Sequence, residues 1–323
     1  MSADPTPPLP ANPDAPPEAW AAALGVAPAV LTAPEPDTTP EEKRICDAVR
    51  AHFAVARPGP AAFPSIAMQI LELVRYPDLD LGELSKYIRV DGALAGGVLA
   101  LANSAVYRAV RRIDTVKEAV ARLGMSEVAR LAAAISMKSL YSPESAGGQK
   151  GYEPIWAELF LHAATVARCA AELAKAKVAA TPGTEQVFMA GLLHDVGKGV
   201  AMRSVAELTE YGKLPALPVE QVRRALHLVH LDLGAEMHKV WQLPPTLSEV
   251  AARHHGPSDD QFVQLVRLVS AADLHRREPA THPGAPAEIV SAARALKLGP
   301  ARVKALEGEL DQAQAWVRTV FAT

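Results

Sequence analysis

The chain has 323 residues, 49% of them hydrophobic and 21% charged, with a net charge of -3 and only 5% aromatic residues. That is enough apolar sequence for one large core or two smaller ones, and the wealth of Ala favours closely packed helices over sheets. The first 40 residues hold five acids and no Lys or Arg, leaving 33 basic against 31 acidic residues elsewhere, with Arg111-Arg112, Arg223-Arg224 and Arg276-Arg277 scattered. This excludes the electrostatic footprint of a duplex nucleic-acid binder. Cys46 and Cys169 form neither a disulfide framework nor a zinc-knuckle spacing, as expected of a reducing compartment. No apolar run reaches ~18 residues and no basic patch leads into an apolar core at the N-terminus, so a membrane span is not expected and a cytoplasmic protein is.

Residues 1–38 contain ten prolines among Ala, Asp and Thr, a composition that predicts a disordered tail. Order is expected from Thr39-Pro40-Glu41-Glu42, an N-cap, a first-turn Pro and a Glu that closes a capping box. That helix should run to about Ala56, where Arg57-Pro58-Gly59-Pro60 stops it. Five short helices follow between Phe63 and Tyr141. Ile66, Ile70, Leu73 and Val74 stripe the first, and Leu84, Tyr87 and Ile88 the second. The third runs from Asp91 to Asn103-Ser104, whose side chains end it through bonds to the backbone. Thr115 and Glu118 cap the fourth, Gly124 closes it, and Ser126 opens the fifth.

Pro143 to Gly151 is Ser/Gly-rich and marks a candidate boundary between a helical lobe at 39–142 and a second at 152–280. The second lobe reads as helices over Pro154–Lys177, Thr184 to about Met202, Pro218–Trp241, a segment ending at His254-His255, and Asp259–Arg277. Residues 281–323 add two more. In the last, Val303, Leu306, Leu310, Ala313, Val317 and Val320 recur at three- and four-residue steps. Such a stripe is either buried on the chain's own body or available for self-association. No alternating strand pattern occurs, so the fold class is all-α.

Gly191-Leu192-Leu193-His194-Asp195-Val196-Gly197-Lys198 is the chemically distinctive stretch. A buried carboxylate beside an imidazole is costly unless paired, hydrogen-bonded or bound to a metal. His162, His230, His254, His255 and Asp273 lie in other helical segments that could supply partners. Taken singly, each has an ordinary reading. His230 on its apolar stripe would be a hydrogen-bonded core residue, Asp273 would pair with Arg276 or Arg277, and Lys198 would be a solvated helix-end charge. The histidines at 52, 227, 238, 275 and 282 read as surface residues.

Two sets of motifs together resemble the HDOD family of HD-related output domains. The first comprises Phe63-Pro64-Ser65, Asp91-Gly92-Ala93-Leu94, Leu101-Ala102-Asn103-Ser104 and Ala119 to Gly124. The second comprises Gly191 to Asp195, Leu233-Gly234-Ala235, Trp241-Gln242-Leu243-Pro244 and His254-His255. The resemblance implies a helical output or scaffolding module of bacterial signalling that binds a protein partner or a nucleotide ligand without turnover, related to metal phosphohydrolases. It also implies an HD-type metal site, in which His162, His194, Asp195 and Asp273 would hold one ion. Asp195 would bridge to a second held by His230, His254 and His255. Such donors suit Fe, Mn, Zn or Ni. Two ions in that arrangement would make a metal-dependent phosphohydrolase, acting on a phosphomonoester or a nucleotide phosphodiester, the alternative reading, with Lys198 stabilising phosphoryl charge. The segment Gly256-Pro257-Ser258-Asp259 lacks the Gly-Tyr-Pro loop of the cyclic-dinucleotide branch, which argues against cleavage of cyclic di-GMP.

Overall fold

The computed structural model describes residues 12–32, 36–56, 84–85, 88–89, 92–104, 107, 111–141, 152–181 and 183–321. Among them every regular element is a helix, as the capping boxes imply. No helix of the described residues is long and apolar enough to cross a membrane.

Part of the segment expected to be disordered is docked. α1 (Pro17–Leu24) ends at Gly25, whose φ of 68° is left-handed. Trp20 within it is fully buried. The Arg294 guanidinium lies 5.8 Å from the Trp20 ring centre and donates to the Pro13 and Ala15 carbonyls at 3.2 and 3.4 Å. His275 Nε2 adds a bond to the Leu24 carbonyl at 3.1 Å. Composition misjudged this segment because one indole supplies apolar burial that the surrounding Pro and Ala do not. Residues 1–11 and 33–35 lie outside the described set.

The capping box of α2 (Pro40–Ala56) is formed: Thr39 N donates to Glu42 Oε2 at 2.7 Å, and Glu42 N to Thr39 Oγ1 at 3.2 Å. Its buried residues Ile45, Cys46 and Val49 join an apolar cluster with Trp156, Val205 and Leu226. α2 therefore packs on the second lobe, although chain order groups it with the first. Of the five short helices, the first (Ile66 to Val74) lies outside the described residues, and Leu84 and Ile88 of the second are buried. The others are α3 (Gly92–Ala102), α4 (Val116–Leu123) and α5 (Met125–Lys138). Asn103 ends α3 as its amide chemistry predicts. Its Nδ2 donates to the carbonyls of Leu99 and Ile113 at 2.9 and 2.8 Å, and its Oδ1 accepts from Ile113 N at 2.8 Å.

The remaining helices are α6 (Glu153–Lys175), α7 (Thr184–Leu193), α8 (Val196–Glu210), α9 (Val219–Val240), α10 (Pro245–Arg253), α11 (Gln261–Arg277), α12 (Ala285–Ala295) and α13 (Pro300–Phe321). The single helix expected from Thr184 to Met202 is thus two, with a break at His194–Asp195. Residues 142–151 are outside the described set, but the core does not divide on either side of them. One apolar cluster runs from Leu84 and Leu101 through Phe188 and Leu265 to Val320. The stripe on α13 is buried along its whole length and lies on α6, α1 and α3. The stripe is therefore a core face, and self-association through it is ruled out in this fold.

Replacing Leu306 and Leu310 by Lys should unfold the protein rather than dissociate it. Each change removes a core side chain worth ~2–5 kcal/mol and buries an ammonium besides. The melting temperature by circular dichroism should fall by at least ~10 °C. A double variant with wild-type melting and only a lower mass by light scattering would contradict this packing.

Candidate metal centre

Glycines bring the site helices into backbone contact. A Cβ on Gly191 would sit 2.6 Å from Ala167 Cα on α6. A Cβ on Gly197 would collide with the His230 carbonyl and lie 2.6 Å from Gly234 N on α9. Adjacent side chains on one continuous helix diverge by ~100°. The break between α7 and α8, where Asp195 has φ -106° and ψ 15°, lets His194 and Asp195 face the same space.

The Asp195 carboxylate stands between two groups of imidazoles. His162 Nε2 and His194 Nε2 lie 3.4 and 3.5 Å from Oδ2. His230 Nε2 and His254 Nε2 lie 3.4 and 3.3 Å from Oδ1. In each of two sets, His162–His194–Asp195 and Asp195–His230–His254–His255, the donor atoms all lie within 4.8 Å of one another, as a shared ion requires. All these side chains are buried except that of His255, which is 12% exposed.

The outer nitrogens fix which atoms face inward. Nδ1 of His194 donates to the Gly191 carbonyl at 2.7 Å, that of His230 to His227 O at 2.7 Å, and that of His254 to Val250 O at 3.1 Å. A carbonyl only accepts, so each of these rings carries a proton on Nδ1 and turns Nε2 inward. His162 and His194 then face each other Nε2 to Nε2 at 3.2 Å, and His230 and His254 at 3.3 Å. Two lone pairs at such distances repel unless a proton donor or a cation stands between them. Asp195 Oδ1 and His255 Nε2 are also buried without a hydrogen-bond partner. The donor set therefore fits a divalent transition metal.

Asp273 joins neither group. Its Oδ2 accepts from His162 Nδ1 at 2.6 Å and Arg277 Nε at 2.8 Å, and its Oδ1 from Gln314 Nε2 at 3.0 Å. Both oxygens are thus engaged one imidazole away from Asp195. Asp273 lies outside both sets of converging donors and contacts the outer nitrogen of His162. Burial would raise the Asp273 carboxyl, but the His162 hydrogen bond and Arg277 outweigh it and hold it at about 2. Lys198 is not a solvated helix-end charge either. It is buried in the first turn of α8, with Nζ 2.6 Å from Asp195 Oδ2. Burial opposes ionisation of Asp195, yet Lys198 and the imidazoles together keep its carboxyl well below the usual range.

Several site residues carry no sequence signal. Ser270 Oγ stands 3.2 Å from both His162 Nε2 and His194 Nε2. Glu288 lies 2.9 Å from His255 Nδ1. Of the histidines read as surface residues, His238 and His282 are buried, and His227 packs on His255 and His282 with ring centres 5.3 and 4.7 Å apart. Solitary histidines outside a periodic stripe gave no cue to this.

Burial is the largest influence on these rings. It holds His194, His230 and His255 well below the ordinary imidazole range and takes His227 to about 2 and His238 to about 4. The unfolded chain takes up these protons near pH ~6.5, while the folded one resists. The stability they contribute is full above ~6.5 and is lost as pH falls toward the folded values. Glu288, pushed up to about 7 by burial, works the other way but is a single group. The melting temperature of chelator-treated protein should therefore fall steadily from pH 6.5 to 5, and a flat or rising profile would contradict the burial of neutral imidazoles.

The comparisons with known proteins bear on fold and family. An HDOD domain protein of unknown function from Geobacter sulfurreducens superposes with a TM-score of 0.60 at 21% identity, over 87% of this chain and 99% of that one. A candidate metal-dependent phosphohydrolase from Shewanella amazonensis SB2B gives 0.57 at 17% identity, over 80% of this chain and 99% of that one. At such identities the likeness is one of fold. An uncharacterised protein of Treponema pallidum (strain Nichols) is 26% identical over 222 residues, 65% of this chain and 41% of that protein. The chain thus spans about two fifths of the curated relative it matches. The HDOD domain profile matches residues 61–257, which takes in the Asn103-Ser104 helix end, the His194–Asp195 break and the His254-His255 pair. The chain belongs to the HDOD domain family.

Proposed function

We propose that this chain is a metal-binding HDOD module that serves cytoplasmic, bacterial-type signalling as an output or scaffolding element, engaging a protein partner without turnover. The observation that carries this reading is how tightly the site is closed. The cleft that reaches His162 and Lys198 encloses about 20 Å³, the space of about one water. A nucleotide would need this cleft to open. A metal there would tie α6, the α7–α8 break, α9 and α10 together, so its binding energy would be folding energy.

The alternative is a metal-dependent phosphohydrolase acting on a phosphomonoester or a nucleotide phosphodiester. Two observations favour it: donors address both oxygens of Asp195, and Lys198, Arg223 and Arg277 line a cleft that reaches the site. A bound metal would supply Lewis acidity and lower the pKa of water. Lys198 would have to leave Asp195 to hold a phosphoryl oxygen, and the Arg223 and Arg277 guanidiniums would orient the anion at the entrance. Cleavage of cyclic di-GMP is not part of this reading, because Gly256-Pro257-Ser258-Asp259 follows the paired histidines.

Protein stripped of metal and reconstituted with Fe, Mn, Zn or Ni should retain the ion on elemental analysis. Its melting free energy should rise by ~2.7 kcal/mol at a metal concentration a hundredfold above Kd. Asp195→Asn should abolish both effects, because the carboxylate faces every other ligand. No turnover should appear in a screen of phosphomonoesters and phosphodiesters. Metal-dependent turnover lost in Asp195→Asn would replace the scaffolding reading by the hydrolase one, and failure of wild type to retain any metal would remove both.

A further inference from the structure

The two halves of the Asp195 carboxylate are not equivalent. On the Oδ2 side, Lys198 Nζ already donates at 2.6 Å. Ser270 Oγ, 3.2 Å from His162 Nε2 and from His194 Nε2, can place its hydroxyl proton on one of those facing lone pairs. This half has its own cation and its own donor. On the Oδ1 side no hydrogen-bond donor reaches the carboxylate among the described residues, although the charges of Lys198 and Arg267 are felt at His255. Oδ1 and His255 Nε2 are buried with no hydrogen-bond partner, and Nε2 of His230 and Nε2 of His254 face each other at 3.3 Å.

The position of Lys198 is set by the backbone. Its amide donates to the Asp195 carbonyl at 2.9 Å, which closes the first turn of α8 and aims the side chain back over the carboxylate three residues earlier. Gly197, wedged against the His230 carbonyl and Gly234 N, keeps that turn in place. A divalent ion among His162, His194 and Oδ2 would lie within a few Å of the ammonium, where charge repulsion is strong and poorly screened.

We propose that the site takes a single divalent cation, bound at the Oδ1 half by Asp195, His230, His254 and His255, and that Lys198 serves as the built-in cation of the Oδ2 half and keeps a second metal out. The proposal rests on the metal reading above and narrows it from one or two ions to one at a stated place. His162 and Asp273 become supports of the Lys198–Asp195 pair, and Glu288 orients His255 by its contact with Nδ1.

The experiment is metal titration of chelator-treated full-length protein with Mn²⁺ or Zn²⁺ alone, read by calorimetry and by elemental analysis after gel filtration. Wild type should bind one equivalent. Lys198→Met keeps the side-chain length, removes the charge, and should bind two. His254→Ala should weaken binding by more than about a hundredfold, while His162→Ala should leave one equivalent with Kd within about threefold. Two equivalents in wild type, or one in Lys198→Met, would overturn the proposal while leaving the metal reading standing. No binding in wild type would overturn both. If Lys198→Met does not fold, the two histidine variants decide: equal losses in both would overturn the proposal.

Discussion

A carboxylate buried among imidazoles is the constraint on which this structure turns. Asp195 is withdrawn from water, and an isolated ion there would cost several kcal/mol. Its charge survives because Lys198 and the rings of His162, His194, His230 and His254 surround it within 3.5 Å. Burial disfavours that charge, but Lys198 and the surrounding imidazoles outweigh it and keep the carboxyl well below its usual range. Lys198 Nζ donates a hydrogen bond to Oδ2, and Oδ1 has no hydrogen-bond partner among the described residues. That oxygen is where we propose the cation binds.

The fold serves that arrangement by letting helices approach closely. Gly191 against Ala167 and Gly197 against Gly234 remove the side chains that would hold the site helices apart. The break between α7 and α8 turns two neighbouring residues into one space. Around the inner nitrogens stands a layer of acceptors, the carbonyls of Gly191, His227 and Val250 and the carboxyls of Asp273 and Glu288, each holding one ring at its outer nitrogen. A wider shell of apolar packing, to which α13 and the docked α1 contribute, binds the N-terminal helices and the site helices into one core. A cleft of about 20 Å³ is the natural result. Close packing that holds five imidazoles around one carboxylate leaves little room for anything larger than water or an ion.

Local rules made much of this legible. The Thr39 and Thr115 caps marked their helices because a side-chain oxygen paired with an orphan amide is a contact between residues three apart. The α13 stripe was visible because burial repeats with the helix period, though the pattern could not say whether its own body or a second copy covers it. The order of His and Asp residues placed the metal candidates in one set. What escaped was set by distant contacts. Nothing near Trp20 announces the pocket beside Arg294 that orders α1. The His194–Asp195 break has no Pro to mark it, and it depends on glycine contacts to other helices. The order of residues does not show that Asp273 meets the outer nitrogen of His162 and is held there by Arg277 and Gln314. Ser270, Glu288 and His282 become site residues through packing that no single segment encodes.

A metal at Asp195 can be located directly by anomalous diffraction. Crystals of the full chain reconstituted with Zn²⁺ or Mn²⁺, recorded above and below the metal absorption edge, should give one strong peak on the Oδ1 side. That peak should lie at ligand distance from Nε2 of His230, His254 and His255, with Lys198 still on Oδ2. A site with no anomalous peak, or a peak elsewhere on the chain, would contradict that placement.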